Sequence, residues 1–467
     1  MIEMEGRRVL VVGLATSGYE AAAAVSEMGA HAVVVDSATE PARLDGAAGL
    51  QERGVEVRLG VAVPDDIHEF DLVVTSPGVP GASAVLQAAA YAGVPVISEL
   101  ELGFGLLESN TMVAVTGTNG KTTTTSLVAA ILAEAGLGAA TCGNIGTPIT
   151  GLRGAVADDT VLVAEVSSFQ LAYIVEFRAA VCIVLNMAPD HFDWHRDLTE
   201  YQAAKMRLVE NMRPEDWLVY NRDDEFCARM AASARGRLLA FSSSRRLSEG
   251  IFAEGGVLEA AGPFAARIMD LDEIALPGGH NLENVMAAAG AALILGVAPP
   301  KIREAVRGFE GLEHRTEFVD EVAGVSFYND SKATNPHAAL SALKAFEGPL
   351  VPILGGRNKG LEFSGLAAEL CRGMSSGRIR GLVLVGQSAQ EIDRAVGVAC
   401  PDGRAPVETV GKLPEAVRAA HRLARGEGAV VYTPACASFD MFTDYKERGR
   451  AFKDAVRRFK GEADAGG

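Results

Sequence analysis

The sequence is poor in basic side chains. Its 467 residues include 43 Lys and Arg against 60 Asp and Glu, so the formal net charge is −17. Positive charge is what binds the phosphate backbone of nucleic acids, and a surface of the opposite sign repels polyanions. The composition therefore argues against an extended nucleic-acid-binding face, and we expect no nucleic-acid partner.

The sequence also lacks the cysteine spacing of zinc and redox motifs. Its six cysteines include no C-x-x-C pair, which many zinc sites and thioredoxin-like motifs contain. We therefore expect reduced, packed thiols and a cytoplasmic protein. The cysteines are Cys142, Cys182, Cys227, Cys371, Cys400 and Cys436.

Long apolar runs are missing as well. No run reaches the roughly 20 residues that span a bilayer. The first residues, MIEMEGRRVLVVG, carry acidic side chains and lead directly into a strand pattern, unlike a secretory signal. We expect neither a signal peptide nor membrane insertion.

Short β-branched runs alternate with alanine-rich segments along most of the chain, which predicts parallel sheets of the α/β class. Breaks at ELELGFGLLESN and at VAPPKIREAVRGFEGLEHRTE divide this pattern. We predict three α/β domains. These are a Rossmann-like domain at 1–105, a central P-loop ATPase-like doubly wound sheet at 106–311, and a C-terminal Rossmann-like domain at 312–467.

The stretch VAVTGTNGKTTTTSLV predicts a phosphate-binding loop between a strand and a helix. Its glycines would let backbone N–H groups point at an anion at the helix N-terminus. Lys121 would contact the outer phosphates, and Thr122 would offer a hydroxyl to Mg²⁺. Val115 stands where the common P-loop pattern has its first glycine, so an ordinary strand-to-helix turn is the alternative.

Further polar groups follow two later strands. Glu165 ends the strand in VLVAEVSSFQL and is a second candidate oxygen ligand, with a solvated carboxylate as the alternative. The loop in VLNMAPDHFDWH is polar enough to predict a site, although its spacing matches no closed zinc motif. Its polar residues are Asn186, Asp190, His191, Asp193 and His195.

The N-terminal loop VVGLATSG resembles a dinucleotide-binding loop with one change. Gly13 and Gly18 match the outer glycines of G-x-G-x-x-G, but Ala15 replaces the middle one. Asp36 closes the next strand, as a ribose-binding acid would. We predict a nucleotide-like ligand here, and a purely structural turn remains open.

Eight motifs occur in order along the chain. They are GTNGKTTT, EVSSFQL, DHFDWH, YQAAKMRL, HNLENVMAA, EHRTE, NDSKATNP and TPACASFDMFTDYKERG. Together they resemble the Mur ligases of bacterial cell-wall synthesis over essentially the whole chain. Within that family, the motifs look most similar to the member that adds D-glutamate to UDP-N-acetylmuramoyl-L-alanine.

The resemblance implies ATP-dependent amide formation through an acyl phosphate, with release of ADP and phosphate. It implies Mg²⁺ at two sites and a CO₂-derived carbamate on Lys205. The helical pattern of EYQAAKMRLVE alone would make Lys205 a surface lysine. We expect a monomer whose partners are the two substrates.

The resemblance also assigns residues to the site. The catalytic residues would be Lys121, Glu165, His191, Lys205 and Lys332. The metal ligands would be Thr122, Glu165, His191 and the carbamate of Lys205. ATP would contact Gly117, Thr118, Asn119, Gly120, Lys121, Thr122, Asn281, Asn284, Arg315 and Asp330. The UDP-substrate would contact Leu14, Ala15, Thr16, Asp36, Ser37, Ser76, Gly78, Asn144, Ser167, Gln170 and His191. D-Glutamate would contact Thr334, Lys359, Ser438 and Tyr445.

One departure and several alternatives stay open. The segment GGRNKG has Arg357 and Asn358 where some relatives carry an aspartate before the lysine, so the group that orients Lys359 is undetermined. Sister ligases that add L-alanine or a diamino acid, and folylpolyglutamate synthetase, are the nearest alternatives. No DNPR-like segment supports a diamino-acid ligase. An NAD-dependent oxidoreductase would use the first domain as its cofactor site and would consume no ATP. A nucleotide-binding switch would need neither Lys205 nor an amino-acid site.

Overall fold

The computed structural model describes residues 3–39, 41–107, 109–192, 194–276, 278–309, 311–346, 348–401 and 403–466. The chain divides into two compact units. The first unit comprises Met1–Met187, Trp194–Glu273 and Glu283–Gly308, and the second comprises Ala188–Asp193, Ile274–Leu282 and Phe309–Gly467.

A five-stranded sheet opens the first unit. Its elements are β1 (Arg8–Val12), α1 (Thr16–Glu27), β2 (His31–Asp36), α2 (Pro41–Gln51), β3 (Glu56–Leu59), β4 (Leu72–Thr75), α3 (Ala84–Ala92), β5 (Val96–Ser98) and α4 (Glu99–Leu106). The strand order is β3-β2-β1-β4-β5, and all pairs are parallel. The central strands are continuous runs of buried Val and Leu, as expected when helices cover both faces of a parallel sheet.

A nine-stranded sheet follows in the same unit. Its elements are β6 (Met112–Thr116), α5 (Lys121–Glu134), β7 (Ala139–Gly143), β8 (Val161–Glu165), α6 (Ser168–Leu171), β9 (Val181–Val184), α7 (Leu198–Met206), β10 (Trp217–Asn221), α8 (Glu225–Ser233), β11 (Arg237–Ser242), β12 (Gly250–Glu254), β13 (Val257–Ala261) and β14 (Ala266–Asp270). The helices α9 (Gly279–Ile294) and α10 (Pro299–Gly308) come next.

This sheet is parallel over most of its width and antiparallel at one end. The strand order is β14-β13-β12-β11-β10-β9-β6-β8-β7. Strands β12, β13 and β14 form antiparallel pairs, and the strands from β7 to β12 pair in parallel. The sequence pattern predicted β6, β8 and β9 but missed the antiparallel extension.

The second unit contains a six-stranded sheet. Its elements are β15 (Glu317–Val322), β16 (Val325–Asn329), α11 (Pro336–Lys344), β17 (Leu350–Leu354), α12 (Ser364–Ser375), β18 (Leu382–Val385), α13 (Ala389–Ala399), β19 (Val407–Val410), α14 (Leu413–Ala424), β20 (Gly428–Tyr432) and α15 (Tyr445–Gly466). The strand order is β15-β16-β20-β17-β18-β19. Only the β15–β16 pair is antiparallel among these described strands.

The predicted fold class is confirmed, because three α/β sheets follow one another along the chain. The exact domain boundaries at 105 and 311 stay predictions. None of the described helices combines the length and apolar composition needed to cross a lipid bilayer.

The expectation of six reduced thiols is wrong for one pair. Cys371 on α12 and Cys400 at the end of α13 form a disulfide with a Cα–Cα distance of 5.5 Å. Both pack against the same apolar cluster of the second unit, although they lie 29 residues apart in sequence. A search for local C-x-x-C spacing therefore could not detect them. The other four cysteines are buried and free.

Candidate active site

The predicted phosphate loop lies between β6 and α5 in the first unit. Gly117 and Gly120 have φ angles of +151° and +87°, in the region that favours glycine. A Cβ atom at Gly120 would lie 2.3 Å from Oδ1 of Asn284, so a larger residue would displace the Asn284 side chain. The ammonium of Lys121 donates to the carbonyl oxygens of Gly117 and Thr118 at 2.8 and 2.9 Å. The loop thus presents a cation and a helix N-terminus together, which suits a bound phosphate chain.

Two predicted magnesium ligands meet beside this loop. Glu165 ends β8, the neighbour of β6 in the sheet, and its side chain is buried. The hydroxyl of Thr122 donates to Oε2 of Glu165 at 2.6 Å, and Nδ2 of Asn144 donates to Oε1 at 2.9 Å. A carboxylate and a hydroxyl oxygen at this distance are a donor set that suits a hard cation such as Mg²⁺.

Lys205 is buried, so the helix-surface position suggested by its local pattern is wrong. Its side chain on α7 is 1% exposed. Its Nζ donates to the carbonyl oxygen of Gly117 at 2.9 Å and to Oγ1 of Thr116 at 3.2 Å. The neighbouring Tyr201 places its hydroxyl 3.2 Å from Oγ1 of Thr118. Helix α7 therefore contacts the phosphate loop through both side chains, and sequence reasoning missed Tyr201.

The two predicted adenine contacts lie one turn apart on α9. Asn284 is buried, and its Oδ1 accepts a hydrogen bond from Oγ1 of Thr124 at 3.2 Å. This contact ties Asn284 to α5, the helix that follows the phosphate loop. Asn281, at the start of α9, belongs to the second unit.

Several predicted UDP-substrate residues gather where the strands of the first sheet end. The carboxylate of Asp36 accepts hydrogen bonds from the backbone N–H groups of Leu14 at 2.7 Å and Ala38 at 2.9 Å. Oγ of Ser76 donates to the carbonyl oxygen of Gly13 at 3.2 Å. A Cβ atom at Gly18 would lie 1.7 Å from that same carbonyl oxygen, so α1 can approach the loop only because residue 18 is glycine. The same loops carry Ala15, Ser37 and Gly78, and Thr16 is the first residue of α1.

Ser167 and Gln170 form the N-terminus of α6. Oγ of Ser167 accepts from the backbone N–H of Gln170, and Oε1 of Gln170 accepts from the backbone N–H of Ser167, forming a capping box. Within the described parts of the chain, no group accepts a hydrogen bond from the buried Nε2 of Gln170. A buried amide N–H group with no acceptor among the described residues suits a side chain that contacts a polar substrate.

An aromatic cluster beside α6 was not predicted. Nε2 of His195 lies 2.9 Å from Oγ of Ser168, and its ring lies 4.4 Å from that of Trp194 and 5.2 Å from that of Tyr201. Nε1 of Trp194 donates to the carbonyl oxygen of Val79 at 2.9 Å. The cluster connects the loop after β4 with α6 and α7. The motif DHFDWH was the available signal, and its Asp193 lies outside the described residues.

In the second unit, Asp190 lies among four polar groups. Its Oδ1 accepts from the backbone N–H of His191 at 2.8 Å and from Nζ of Lys359 at 3.2 Å, and its Oδ2 accepts from Nδ2 of Asn335 at 2.7 Å. Nε2 of His191 lies 3.8 Å from Oδ2. Burial raises the pKa of Asp190, but the charges of His191 and Lys359 hold it below its ordinary value.

Asp330 lies at the end of β16 with little access to solvent. It accepts hydrogen bonds from Oγ1 of Thr433 at 3.0 Å and from the backbone N–H of Thr316 at 3.2 Å. Burial raises the pKa of Asp330 to about 7, against the opposing effects of these bonds and of the charges of Arg315 and Arg448. Two predicted ATP residues, Arg315 and Asp330, thus interact electrostatically.

Lys332 and Tyr445 also meet in this unit. The ammonium of Lys332 lies 3.9 Å from the centre of the Tyr445 ring, a cation–π contact. Arg448, which sequence reasoning missed, is completely buried and donates to the carbonyl oxygens of Ser331 at 2.7 Å and Cys436 at 2.9 Å. It joins the NDSKATNP segment to the loop after β20. Thr334 lies before α11, and the buried Ser438 lies in the loop after β20.

Comparison with known proteins shows which family the chain belongs to. Family models match residues 7–98 as a Mur ligase MurD-like N-terminal domain, 115–292 as a Mur ligase middle domain and 314–436 as a Mur ligase, glutamate ligase domain. A UDP-N-acetylmuramoylalanine–D-glutamate ligase of Acidobacterium capsulatum is 41% identical, covering 99% of this chain and 98% of the relative. The chain belongs to the Mur ligase family.

Other relatives of this Mur ligase belong to the same family. The enzyme of the same name from Pelotomaculum thermopropionicum is 41% identical, covering 97% of this chain and 98% of the relative. Among solved structures, MurF from Acinetobacter baumannii has a TM-score of 0.60 at 16% identity, covering 96% of this chain and 93% of that one. UDP-N-acetylmuramate–alanine ligase from Thermotoga maritima has a TM-score of 0.58 at 20% identity, with 98% and 100% covered. At these identities the two structures support the fold alone.

Proposed function

We propose that this Mur ligase joins D-glutamate to UDP-N-acetylmuramoyl-L-alanine, consuming ATP and releasing ADP and phosphate, in the synthesis of peptidoglycan precursors. The observation that carries the proposal is the 41% identity, over 99% of the chain, to a relative named for this ligation. The chemistry of the described side chains agrees with it.

The first step needs positive charge at the phosphate loop. The terminal carboxylate of the UDP-substrate attacks the γ-phosphorus of ATP, an acyl phosphate forms, and ADP leaves. Both reactants are anions, so the site must reduce their repulsion. Lys121 and the N–H groups at the start of α5 would bind the phosphates. Asn281 and Asn284 would contact adenine, and Arg315 and Asp330 would complete the ATP site.

Thr122 and Glu165 would hold Mg²⁺ in this site, joined by His191 and a modified Lys205. Bound Mg²⁺ supplies charge neutralisation of the transferring phosphoryl group. We propose that the amine of Lys205 adds CO₂, forming an N–C bond and releasing a proton. The resulting carbamate replaces a cation by an anionic oxygen donor for a second Mg²⁺. The buried position of Lys205 against Gly117 supports this assignment.

The second step forms the amide. The amine of D-glutamate attacks the acyl carbonyl and loses a proton, and phosphate leaves. D-Glutamate brings two carboxylates, for which Lys359, Thr334, Ser438 and Tyr445 are the proposed contacts, with Lys332 at the reacting phosphate.

The uridine nucleotide of the other substrate would bind at the edge of the first sheet. Its proposed contacts there are Leu14, Ala15, Thr16, Asp36, Ser37, Ser76 and Gly78. The buried Nε2 of Gln170, with Asn144, Ser167 and His191, would contact the muramoyl-alanine end. We further propose a cytoplasmic monomer whose partners are its two substrates.

The proposal is tested by phosphate release from the purified protein. Turnover should require ATP, Mg²⁺, UDP-N-acetylmuramoyl-L-alanine and D-glutamate together, and omission of any one should abolish it. Parallel assays replace D-glutamate with L-glutamate, L-alanine or meso-diaminopimelate. Equal turnover with any of these amino acids would overturn the assignment of D-glutamate.

A further inference from the structure

Lys359 forms an ion pair with Asp190, a residue far away from it in the sequence. Its Nζ lies 3.2 Å from Oδ1 of Asp190, with the side chains 15% and 5% exposed. An ion pair this far from solvent has a defined geometry only when its remaining polar atoms are also bonded. Those of Asp190 are bonded, because Oδ1 also accepts from the N–H of His191 and Oδ2 accepts from Asn335.

The residue next to Lys359 cannot play this part. Nδ2 of Asn358 donates to the carboxylate of Glu391 at 2.9 and 3.1 Å and to the carbonyl oxygen of Leu361 at 2.9 Å. Oδ1 of Asn358 accepts from the N–H of Leu361 at 2.9 Å. The side chain of Asn358 is therefore committed to its own turn and to α13, and it carries no charge.

Asn335 links the same carboxylate to a second segment. It caps α11, because its Oδ1 accepts from the N–H of Ala338 at 2.8 Å, while its Nδ2 donates to Asp190 at 2.7 Å. Lys332 and Thr334, which lie just before it in sequence, are the proposed contacts of the reacting phosphate and of D-glutamate. One carboxylate thus fixes Lys359 relative to the start of α11.

We propose that Asp190 is the positioning residue of the D-glutamate site, holding the ammonium of Lys359 so that its free donors face a substrate carboxylate. An ammonium has three donors, and the Asp190 bond orients the other two. This inference rests on the proposed function. Without Asp190, the flexible lysine stem would leave the ammonium unoriented.

The main test measures KM for D-glutamate in Asp190→Asn at saturating ATP and UDP-substrate. We expect a rise of at least tenfold, while KM for ATP and for the UDP-substrate stays within twofold. In a Lys359→Gln background, Asp190→Asn should add no further rise, because the partner is already gone. A lower KM, an unchanged KM with reduced kcat, or full additivity would overturn the proposal.

Two further variants test whether the effect is specific to the Asp190 carboxylate. Asn335→Asp keeps the oxygen that caps α11 but puts a second carboxylate against Asp190, so it should also raise KM for D-glutamate. Asp216→Asn makes the same chemical change at another buried aspartate, which pairs with Arg178 at 2.6 Å in the first unit, and should leave this KM unchanged. A KM rise in Asp216→Asn equal to that in Asp190→Asn would contradict a specific role.

A measurement without turnover separates this inference from the proposed function. Amine-modifying reagent and mass spectrometry report the reactivity of Lys359 in the full-length protein, with the exposed Lys412 as internal reference. Asp190→Asn should raise the relative reactivity of Lys359 at least fivefold. Unchanged reactivity would overturn the positioning role even if ligation occurs. Absence of ligation by the wild type, with the reactivity change present, would overturn only the function.

Discussion

At the scale of single residues, sequence separation decides which contacts could be predicted. Lys121 reaches carbonyl oxygens three and four residues earlier in the chain, so its loop is encoded locally and the sequence alone predicted it. Lys205 bonds to residues 88 and 89 positions away. Its helical context is that of a surface position, and only the packing of α7 against the loop buries it. Resemblance to a family identified Lys205, whereas the periodicity of the sequence did not.

The carbamate on Lys205 gives a testable prediction. We expect Lys205→Ala to lose turnover by on the order of 100-fold, as variants of groups around a metal do, because the second anionic donor is lost. Acetate or another small carboxylate should restore part of the activity by occupying the space that the side chain leaves. Turnover is measured by phosphate release with and without acetate.

Two control variants accompany this experiment. Lys205→Met fills the space without an amine, so acetate should not rescue it. Lys301→Ala removes an exposed lysine that pairs with Glu134 and should keep full activity. If Lys205→Ala retained wild-type turnover, the carbamate would have no part in the mechanism.

At the scale of secondary-structure elements, helix α4 carries two buried carboxylates, Glu99 and Glu101, which differ in the hydrogen bonds that their oxygens accept. Both oxygens of Glu101 accept backbone hydrogen bonds, from Val175, Glu176 and Phe177 at 2.8 to 2.9 Å. Oε1 of Glu99 accepts two bonds from Thr150, but its Oε2 has no partner among the described residues. Burial raises the pKa of Glu99 to about 7, opposed by the Thr150 bonds and assisted by the charge of Glu20.

The raised pKa predicts how stability changes with pH. A folded state that holds a proton more tightly than the unfolded state is stabilised at low pH, and that contribution is lost as pH rises from 4.5 towards 7. Glu99→Gln keeps the Oε1 acceptor and cannot ionise. We expect the free energy of unfolding of this variant, relative to wild type, to rise by about 3 kcal/mol across this range. Denaturant unfolding at several pH values measures it.

Glu101→Gln is the matched control on the same helix. Its amide would present an N–H group to a backbone N–H donor, so we expect a loss of about 1–3 kcal/mol. A relative stability of Glu99→Gln that did not change with pH would contradict the assigned environment of Glu99.

The strands also show which elements the hydrophobic pattern of the sequence could predict and which it could not. The buried parallel strands β1, β6 and β9 are unbroken apolar runs, and such runs were readily predicted. Strands β13 and β14 lie at one end of the sheet, with β14 on its edge. Strand β13 alternates buried with partly exposed residues, and β14 carries Arg267 and Asp270. Half-exposed edge strands have a weaker apolar signal, which explains why the antiparallel extension was missed.

At the scale of the whole molecule, the second unit gathers segments that are separated in sequence. Ala188–Asp193 and Ile274–Leu282 belong to it, although both precede its main segment, Phe309–Gly467. Asp190 therefore contacts Asn335 and Lys359, which follow it by 145 and 169 residues. Three domains could be predicted from breaks in the pattern, but this grouping depends on tertiary contacts that leave no local signal.

The division into two units predicts more than one unfolding transition, because chains with several compact units rarely unfold in a single step. The Cys371–Cys400 disulfide lies wholly within the second unit and closes a 29-residue separation. Reduction should destabilise that unit by about 3 kcal/mol, since the cross-link restricts its unfolded chain. Calorimetry with and without dithiothreitol should therefore show one transition moving to lower temperature while the other stays.

The double variant Cys371→Ser/Cys400→Ser should unfold like the reduced wild type and should not respond to dithiothreitol. Equal movement of both transitions would mean that the two units unfold as one.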